Sequence, residues 1–259
     1  MRVITLNANG IRAAARKGFF NWLALQNADV VCIQETKAQV EQLSDTIFNP
    51  LGYHCRYFDA LKRGYSGVAI YSRVAPNNVI NGLDWPVIAS EGRWLQYDFD
   101  GISIVSLYLP SGSSGDERQA VKYQVMDYLT PLLKAMAEDT REWIICGDWN
   151  IVHTEKDIKN WKSNQKNSGC LPEERAWLDK LFNEFGLVDA FRMVDTRAEQ
   201  YTWWSNRGQA WANNTGWRID YHITSPGLRD KVTAASVYRD ERFSDHAPLT
   251  IDYDFELSS

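Results

Sequence analysis

The chain has 259 residues, of which 44% are hydrophobic and 24% are charged, and its formal net charge is -5. This composition excludes an intrinsically disordered chain and is ordinary for a globular protein that buries a sizeable core. The acidic total provides no overall attraction to nucleic acid. It does not exclude such a partner, because a local basic face is enough for binding.

The lengths of the apolar runs, the N-terminal residues and the absence of linker-like segments indicate the compartment and the number of domains. No apolar run approaches the roughly 20 residues that a membrane helix needs, so we expect no membrane association. The opening residues MRVITLNANG indicate a strand and lack the basic start, long apolar stretch and small-residue cleavage site of a secretory signal. We therefore expect a cytoplasmic protein. No linker-like run of Gly, Pro or Ser divides the chain, and we predict a single domain over residues 1–259.

Strand-like runs rich in Val, Ile, Tyr and Leu recur along the chain. Two helices are predicted between them. The first runs from Asp116 to Met136, where apolar residues recur at helical spacing and Asp116 can cap the start. The second covers PEERAWLDKLFNEFG, with Pro172 in the first turn and Gly186 as the stop. In chain order, the strand-like runs are RVITLN, ADVVCIQE, YHCRYFDA, GVAIYS, RWLQYDF, ISIVSLYLP, EWIICGD, IDYHITS and PLTIDYDF.

The pattern of elements indicates the fold class. Many short strands with a few intercalated helices are typical of an α/β sandwich, in which two packed sheets have helices outside. A doubly wound parallel sheet is the alternative, and the irregular spacing of the strands favours the sandwich. Four cysteines (Cys32, Cys55, Cys146 and Cys170) lack C-x-x-C spacing. We interpret them as buried free thiols rather than as disulfides or a zinc site.

Polar side chains stand repeatedly at the end of an apolar strand, where the chain leaves the sheet. Ligand and catalytic sites favour such edges, because a rigid strand fixes its last residues while the loop leaves room for substrate. Taken singly, most of these residues are ordinary turn formers. Glu35 follows so apolar a strand that its carboxylate needs a partner, and a metal ion would be one. The residues at these ends are Asn7, Asn9, Gln34, Glu35, Tyr108, Ser111, Asp148, Asn150, Asp220, Asp245 and His246.

The segment WIICGDWNI, residues 143–151, is the most informative of these strand ends. If the strand continues through it, Asp148 and Asn150 lie on one face and both can approach the same phosphate. Trp149 would then point the other way, into packing. Gly147 would allow backbone or DNA to approach closely.

As a set, these side chains offer carboxylate and amide oxygens with a single histidine. Oxygen-rich sites without cysteine suit Mg²⁺, with Mn²⁺ as an alternative, rather than zinc. Such an ion commonly acts on phosphate esters, where it neutralises developing charge and activates or orients water. A serine hydrolase is disfavoured because no Ser/His pair is patterned in the sequence. An ATPase is disfavoured because the sequence has no G-x-x-x-x-G-K-[ST] loop.

Nine segments in fixed order resemble the signature segments of the exonuclease III family of apurinic/apyrimidinic (AP) endonucleases. They are LNANGIRA, IQETK, RGYSGVAIYS, SLYLPSGSS, CGDWNI, KNWKSNQKNSG, LPEERAWLD, YTWWSNRGQAWANNTGWRIDY and FSDHAPL, and the resemblance runs from residue 3 to about residue 252. It implies a four-layer α/β sandwich of the DNase I-like type, with two packed mixed β-sheets flanked by helices.

The resemblance also implies an activity. Members of the family use a divalent metal to hydrolyse the DNA backbone on the 5′ side of an abasic site, leaving a 3′-hydroxyl. Accompanying 3′-5′ exonuclease and 3′-phosphatase activities are expected. The implied partner is double-stranded DNA with abasic sites or blocked 3′ ends, and we expect the protein to act as a monomer.

Roles for the metal region follow from the resemblance. Glu35 would be the principal Mg²⁺ ligand, assisted by Asn7. Asp148 would orient or deprotonate the attacking water, and Asn150 would hold Asp148 and the phosphate. Asp245 would lie beside the metal, and Asp148 and Asn150 complete the predicted metal-binding set. An Asp crowded among other carboxylates tends to have a raised pKa, which suits a proton carrier.

Three further residues are assigned to the phosphate. His246, paired with Asp220, would donate a hydrogen bond or a proton to a phosphate oxygen. A carboxylate partner fixes the tautomer of the imidazole and favours its charged form, as phosphate binding requires. Tyr108 would contact the phosphate or donate toward the leaving group.

The resemblance also predicts the DNA-binding surface. Trp203, Trp217 and Ile219 match an apolar pocket for a flipped-out sugar without a base, which is cheap to extrude because it has lost its stacking partner. Trp204 and Trp211 are interpreted as core residues. Predicted contacts to DNA are Asn164, Asn167, Arg12, Lys62, Arg63, Ser111 and Lys162, within basic segments that also carry Arg16, Lys17, Lys156, Lys159 and Lys166.

One departure and two alternatives accompany the resemblance. Asn9 stands where the human-type enzyme has Asp in the segment N-x-D-G, which removes a negative charge near the metal and should weaken or alter metal binding without abolishing it. The first alternative is a catalytically silent regulator of the catabolite repression control type, which acts in RNA-associated translational repression. Because the predicted site residues are all present, the enzyme is favoured. The second is a relative acting on a phosphodiester other than DNA.

Overall fold

The computed structural model describes residues 1–258. Its strands are β1 (Arg2–Asn7), β2 (Val30–Gln34), β3 (His54–Phe58), β4 (Val68–Ser72), β5 (Asn78–Asn81), β6 (Trp94–Phe99), β7 (Ile102–Tyr108), β8 (Glu142–Asp148), β9 (Val188–Asp189), β10 (Trp203–Trp204), β11 (Gly216–Trp217), β12 (Asp220–Thr224), β13 (Val232–Val237) and β14 (Leu249–Tyr253). The α-helices are α1 (Ile11–Arg16), α2 (Phe19–Ala24), α3 (Pro86–Ser90), α4 (Asp116–Glu138), α5 (Trp161–Asn164), α6 (Pro172–Asp179) and α7 (Ala190–Val194).

Most of the strands belong to two mixed six-stranded sheets. The first sheet has the order β13-β14-β1-β2-β4-β3 and the second has the order β5-β6-β7-β8-β12-β9, while β10 and β11 form a two-stranded ribbon. Each sheet contains one parallel pair, which is β1 with β2 in the first sheet and β7 with β8 in the second. The remaining neighbours within the two sheets pair in antiparallel fashion.

Both faces of each sheet are covered, which explains why the strands are continuous apolar runs rather than alternating ones. In β2, Val30 and Cys32 pack into the core between the sheets, whereas Val31 and Ile33 pack against α1 and α2. The second sheet has α4 and α6 on its outer face. The order helices, sheet, sheet, helices confirms the predicted four-layer α/β sandwich. The core shared by the two sheets supports the proposal of one domain.

Both predicted helices are present. The first is α4, which extends two residues beyond the predicted end at Met136. The second is α6, which continues into a π-helical turn, Lys180–Glu184, before Gly186 ends it with φ = 78°. Short 3₁₀ turns occur at Val40–Gln42, Thr46–Phe48, Glu155–Asp157 and Pro226–Lys231. None of the helices in the described residues combines the length and apolar character needed to cross a bilayer.

The nine predicted strands are all present, and five more were missed. The missed strands β5 and β13 lie at sheet edges and carry several exposed side chains, so they lack the two-faced apolar pattern. The other three have two residues each, too few for any pattern. The four cysteines are free thiols as predicted. Cys55 is only half-buried, which corrects the prediction, because β3 is an edge strand.

Strand register brings polar side chains to one edge of the sandwich. Tyr108, Asp148 and Asp220 are aligned across β7, β8 and β12 of the second sheet. Asn7 ends β1 beside the end of β2, so Glu35 follows at the corresponding edge of the first sheet. A hydrogen bond from Asn7 to Asp148 shows that the two edges lie together.

His222 in β12 makes the stability of the fold dependent on pH. Its Nδ1 is 2.9 Å from the Tyr253 hydroxyl, its Nε2 has no hydrogen-bond partner, and burial lowers its pKa to about 3. In the unfolded chain the His222 imidazole therefore binds a proton near pH 6.5, whereas in the folded chain it stays neutral at that pH. Stability is full above that pH and falls as the pH drops toward 3.

We predict that His222→Leu reduces this dependence. Between pH 7.5 and pH 4 the free energy of unfolding of the wild type should fall by about 3 kcal/mol more than that of the variant. Urea unfolding at the two pH values measures the difference. Equal losses in both proteins would show that His222 is protonated in the folded state.

Candidate active site

Asn7 joins the two sheets at the candidate site. Its side-chain nitrogen donates to Glu35 Oε1 at 3.0 Å and to Asp148 Oδ2 at 2.9 Å. Its oxygen accepts a hydrogen bond from the backbone N–H of Asn9 at 2.9 Å, which fixes the orientation of the amide because that backbone donor needs an acceptor. Asn7 therefore bridges two carboxylates as a donor. Its predicted role as a metal ligand stays a prediction, since an amide oxygen that accepts one hydrogen bond has a second lone pair.

Glu35 is held as a fixed anion beyond the end of β2. Its φ of 50° lies in the left-handed region, which glutamate rarely adopts, and such strain is concentrated at functional sites. Its carboxylate accepts hydrogen bonds from Asn7, from the Lys37 ammonium at 2.9 Å and from the Tyr108 hydroxyl. Burial alone raises the pKa of Glu35, but Lys37 and these hydrogen bonds outweigh burial and lower the pKa below its usual range.

Asp148, at the end of β8, has the opposite electrostatic character. Its Oδ1 accepts from the backbone N–H of Asn150 at 2.9 Å and its Oδ2 accepts from Asn7. Burial raises its pKa, the attraction of His246 opposes that rise, and repulsion from Asp220 adds to it, so the pKa lies well above its usual range. Asp148 can therefore exchange a proton near neutral pH.

His246 lies between two carboxylates. Its Nδ1 donates to Asp220 Oδ2 at 2.8 Å, and its Nε2 lies 3.7 Å from Asp148 Oδ2. Burial lowers the pKa of His246, but attraction to Asp220 and Asp148 raises it by more, so the charged imidazolium is favoured. The predicted pairing of His246 with Asp220 is therefore present in the structure.

Asn150 reaches Asp148 by a different route from the predicted one. β8 ends at Asp148, and Asn150 has a φ of 52°, so strand alternation does not place the two side chains. The backbone N–H of Asn150 binds Asp148, and its side-chain nitrogen donates to the Leu109 carbonyl at 2.8 Å. Trp149 is fully buried against Trp177, with ring centroids 6.0 Å apart, as predicted.

Gly147 is required by the neighbouring strand. It has a φ of 146°, and a Cβ at this position would lie 1.9 Å from the Leu107 carbonyl oxygen of β7. The close approach that the sequence predicts is therefore between two strands of one sheet. Any side chain here would push β7 and β8 apart beside Asp148.

The chemistry of the site fits a divalent cation. Within residues 1–258, the one compact group of candidate ligands consists of Asp148, Asp220 and His246, whose ligand atoms lie within 4.8 Å of one another. Glu35 is joined to Asp148 through Asn7 and adds a further carboxylate beside this group. Carboxylate oxygens of this kind suit Mg²⁺ or Mn²⁺.

Asn9 and Asp245 continue the site beyond Glu35. The Asn9 side chain donates to Asp245 Oδ1 at 3.1 Å and accepts from the Lys37 ammonium at 2.5 Å. Asp245 Oδ2 accepts from the Trp203 indole N–H at 3.1 Å. Burial raises the pKa of Asp245, but His246 and these donors outweigh burial and lower the pKa. Asp245 thus connects the carboxylate cluster with the tryptophan ribbon.

The residues predicted to line the sugar pocket lie beside His246. The ribbon pairs Trp203 with Trp217, and their rings meet edge to face with centroids 5.8 Å apart. Ile219 packs in the same apolar cluster. The Trp203 ring centroid is 6.5 Å from that of His246. An apolar wall therefore adjoins the charged imidazole.

The residues predicted to bind DNA lie in loops and in the short helices α1 and α5, and several of these segments are anchored to the site. Lys37 N–H donates to the Ser66 carbonyl at 2.8 Å, which ties the loop with Lys62 and Arg63 to Glu35. Asn164 and Asn167 bind each other at 2.8 Å between their side-chain amides. Exposed members of the predicted set are Arg12, Lys62, Arg63, Lys162 and Asn167, while Ser111 and Asn164 are partly buried.

A model of the endonuclease/exonuclease/phosphatase family matches residues 4–246. The chain belongs to the endonuclease/exonuclease/phosphatase family. An exodeoxyribonuclease of Bacillus subtilis is 37% identical over 97% of this chain and 98% of its own length. A DNA-(apurinic or apyrimidinic site) endonuclease of Dictyostelium discoideum is 33% identical over 97% of this chain and 70% of its own. The solved structure of the 3′ phosphatase NExo from Neisseria, bound to product DNA hairpin, covers 98% of this chain and all of its own with a TM-score of 0.88 and 26% identity.

Sequence reasoning missed three cations that support the site of this family member. Lys37 lies two residues after Glu35, and that proximity was the available signal. Buried Arg93 stacks on Tyr108 at 4.5 Å and donates to its carbonyl at 3.1 Å. Lys122 lies three residues before Val125 on the buried face of α4, where an apolar pattern conceals it. These cations could not be paired with their partners without the fold.

We predict that Asp220→Asn lowers the pKa of His246. Loss of this carboxylate removes the largest attraction that raises the pKa, while burial still lowers it, so the pKa should fall by at least about one unit. Titration of the imidazole by nuclear magnetic resonance measures the change. In Asp179→Asn, which removes the partner of His153 instead, the titration of His246 should stay as in the wild type. The same pKa in Asp220→Asn and the wild type would contradict the assigned pairing.

Proposed function

We propose that this protein is a metal-dependent DNA-repair phosphodiesterase that hydrolyses the backbone 5′ to abasic sites and leaves a 3′-hydroxyl. The exodeoxyribonuclease and AP endonuclease relatives support this assignment. The observation that carries it is the continuous network from Glu35 through Asn7 and Asp148 to His246 and Asp220. Because 3′ phosphatase activity is named for a structural neighbour, we also propose 3′-5′ exonuclease and 3′-phosphatase activity.

The metal proposed for this site is Mg²⁺, with Mn²⁺ as the alternative. Glu35 would be its principal ligand, with Asp148 and Asp245 nearby. When bound, such an ion neutralises charge on the phosphate and lowers the pKa of water. Lys37 supplies fixed positive charge beside Glu35 independently of the ion.

His246 and Asp148 would divide the phosphate and proton chemistry. The imidazolium, held charged by Asp220, donates a hydrogen bond to a non-bridging phosphate oxygen. Asp148, whose pKa is raised by burial, accepts a proton from the attacking water. Tyr108 would contact the same phosphate region, since its side chain lies beside Glu35. Asn150 holds Asp148 through its backbone N–H.

The same residues argue against the regulator of the catabolite repression control type. That protein has lost its catalytic residues, whereas Glu35, Asp148, Asp220 and His246 form one connected network in this chain. A regulator would not need an imidazole held charged between two buried carboxylates. We further propose that the protein works as a cytoplasmic monomer, the simplest arrangement for a site built from one chain.

We predict metal-dependent scission of a labelled duplex that contains one abasic analogue. With Mg²⁺ the wild type should cut at the lesion, and EDTA should abolish cutting. Asp148→Asn removes the proton acceptor and should lower kcat by at least about a hundredfold. Asp127→Asn, an exposed residue of α4, is the control. Absence of scission by the wild type would refute the enzyme and favour the regulator.

We predict that the tryptophan ribbon sets selectivity for the abasic site. Trp217→Ala removes one wall of the apolar pocket and should lower kcat/KM on the abasic duplex by at least about tenfold. Removal of nucleotides from an undamaged 3′ end should change less. Trp211→Ala is the matched control, because Trp211 packs on Trp204 in a separate cluster. Equal losses on both substrates would show that Trp217 does not select the lesion.

A further inference from the structure

A buried lysine lies directly beneath the candidate site. Lys122 belongs to α4, and its side chain is 0% exposed. Its ammonium donates to the Asn150 backbone carbonyl at 2.7 Å and pairs with Glu174 Oε1 at 2.6 Å. Burial lowers the pKa of Lys122, and Glu174 opposes that effect. The turn that follows Asp148 is therefore anchored from below by a charged group.

Glu174 uses all of its hydrogen-bonding capacity at this point. Its Oε1 also accepts from the Gln119 side chain at 2.9 Å. Its Oε2 accepts from the backbone N–H of Gly169 at 2.6 Å and of Leu171 at 3.1 Å. Glu174 is the third residue of α6, and a carboxylate there that accepts from the N-cap backbone is half of a capping box. It thus fixes both the start of α6 and the end of the preceding loop.

That loop, residues 160–170, includes the one-turn helix α5 and is one of the segments predicted to contact DNA. It carries Asn164 and Asn167, and the Val152 N–H donates to the Gly169 carbonyl at 2.8 Å. A Cβ on Gly169 would lie 3.0 Å from both the Asn150 carbonyl oxygen and the Trp217 ring. The end of the loop is therefore packed closely between the turn after Asp148 and the tryptophan ribbon.

Stability alone does not account for a buried ion pair at this position. Apolar residues of similar volume often replace such a pair without loss of stability, because desolvation of the two charges offsets their attraction. A pair with five directed polar contacts instead fixes geometry, because each donor and acceptor has one satisfactory position. Here those bonds end on Asn150, Gly169 and Leu171.

We propose that Lys122 and Glu174 are positioning residues that set the DNA-contacting loop 160–170 against Asn150 and Trp217. The proposal rests on the proposed function, since it assigns the pair to placement of duplex and phosphate. Lys122 fixes the turn that holds Asp148, so its loss should act mainly on kcat. Glu174 fixes the loop, so its loss should act mainly on KM.

The first test measures the loop without reference to activity. Glu174→Gln keeps the volume but replaces one carboxylate oxygen with an amide donor, so its one remaining oxygen can serve either the two backbone donors or Lys122 and Gln119. The amides of Gly169 and Leu171 should then lose hydrogen-exchange protection by at least about tenfold. Lys122→Met/Glu174→Leu removes both charges, should remain folded, and should show the same loss. Leu129→Ala, a buried α4 residue outside the pair, should leave these amides protected under conditions where it is folded.

The second test compares kinetics on the abasic duplex. Glu174→Gln should raise KM at least about tenfold with a smaller change in kcat, and Lys122→Met should lower kcat at least about tenfold. A purely structural role would lower only the fraction of active protein and would leave KM unchanged, as expected for Leu129→Ala. Retained amide protection in both Glu174 variants, or exposed amides with wild-type kinetics, would overturn the proposal. A wild type that does not cleave refutes the proposed function, while hydrogen exchange still decides whether the pair holds the loop.

Discussion

The site depends on the pair of hydrogen bonds that Asn7 donates to Glu35 and Asp148. These carboxylates belong to different sheets, and only the packing of the sheets brings them together. Two carboxylates at such proximity repel each other unless a donor or cation lies between them. Because Asn7 is neutral, it supplies that contact without cancelling the negative charge. A cation can therefore still be attracted to this edge, and the relative position of the sheets becomes part of the site.

Burial then gives the two carboxylates different chemistry. Glu35 receives a lysine ammonium and a phenol hydroxyl, so its charge is retained. Asp148 receives neutral amide donors and lies next to Asp220, so its charge is costly and its pKa rises. Attraction to Asp220 and Asp148 keeps His246 in its charged form between them. One edge of the sandwich thus holds an anion at Glu35, a proton acceptor at Asp148 and a cation at His246. Hydrolysis of a phosphodiester needs groups of these three kinds.

The sequence could predict the elements whose pattern is local. Strands covered on both faces are continuous apolar runs, and α4 has an apolar stripe, so these were found. Polar residues at strand ends were also predicted, because each one directly follows such an apolar run. The turn at Asn150 was not predicted. The left-handed conformation of this residue after Asp148 depends on the Leu109 carbonyl and on Lys122, which are distant in sequence. The role of Lys122 was not predicted either, because the sequence of α4 gives no sign of an ion pair with Glu174, 52 residues away.

The departure at Asn9 also has a physical explanation. Its side chain donates to Asp245 and accepts from Lys37 at the same time. An aspartate could accept from Lys37 but would face Asp245 as a like charge, at a distance where repulsion is substantial. Asn9 therefore allows Asp245 to stay ionised next to Trp203 while Lys37 remains on Glu35. The lost negative charge is offset by retention of Asp245 as an anion, so the departure redistributes charge around the metal region without dismantling it.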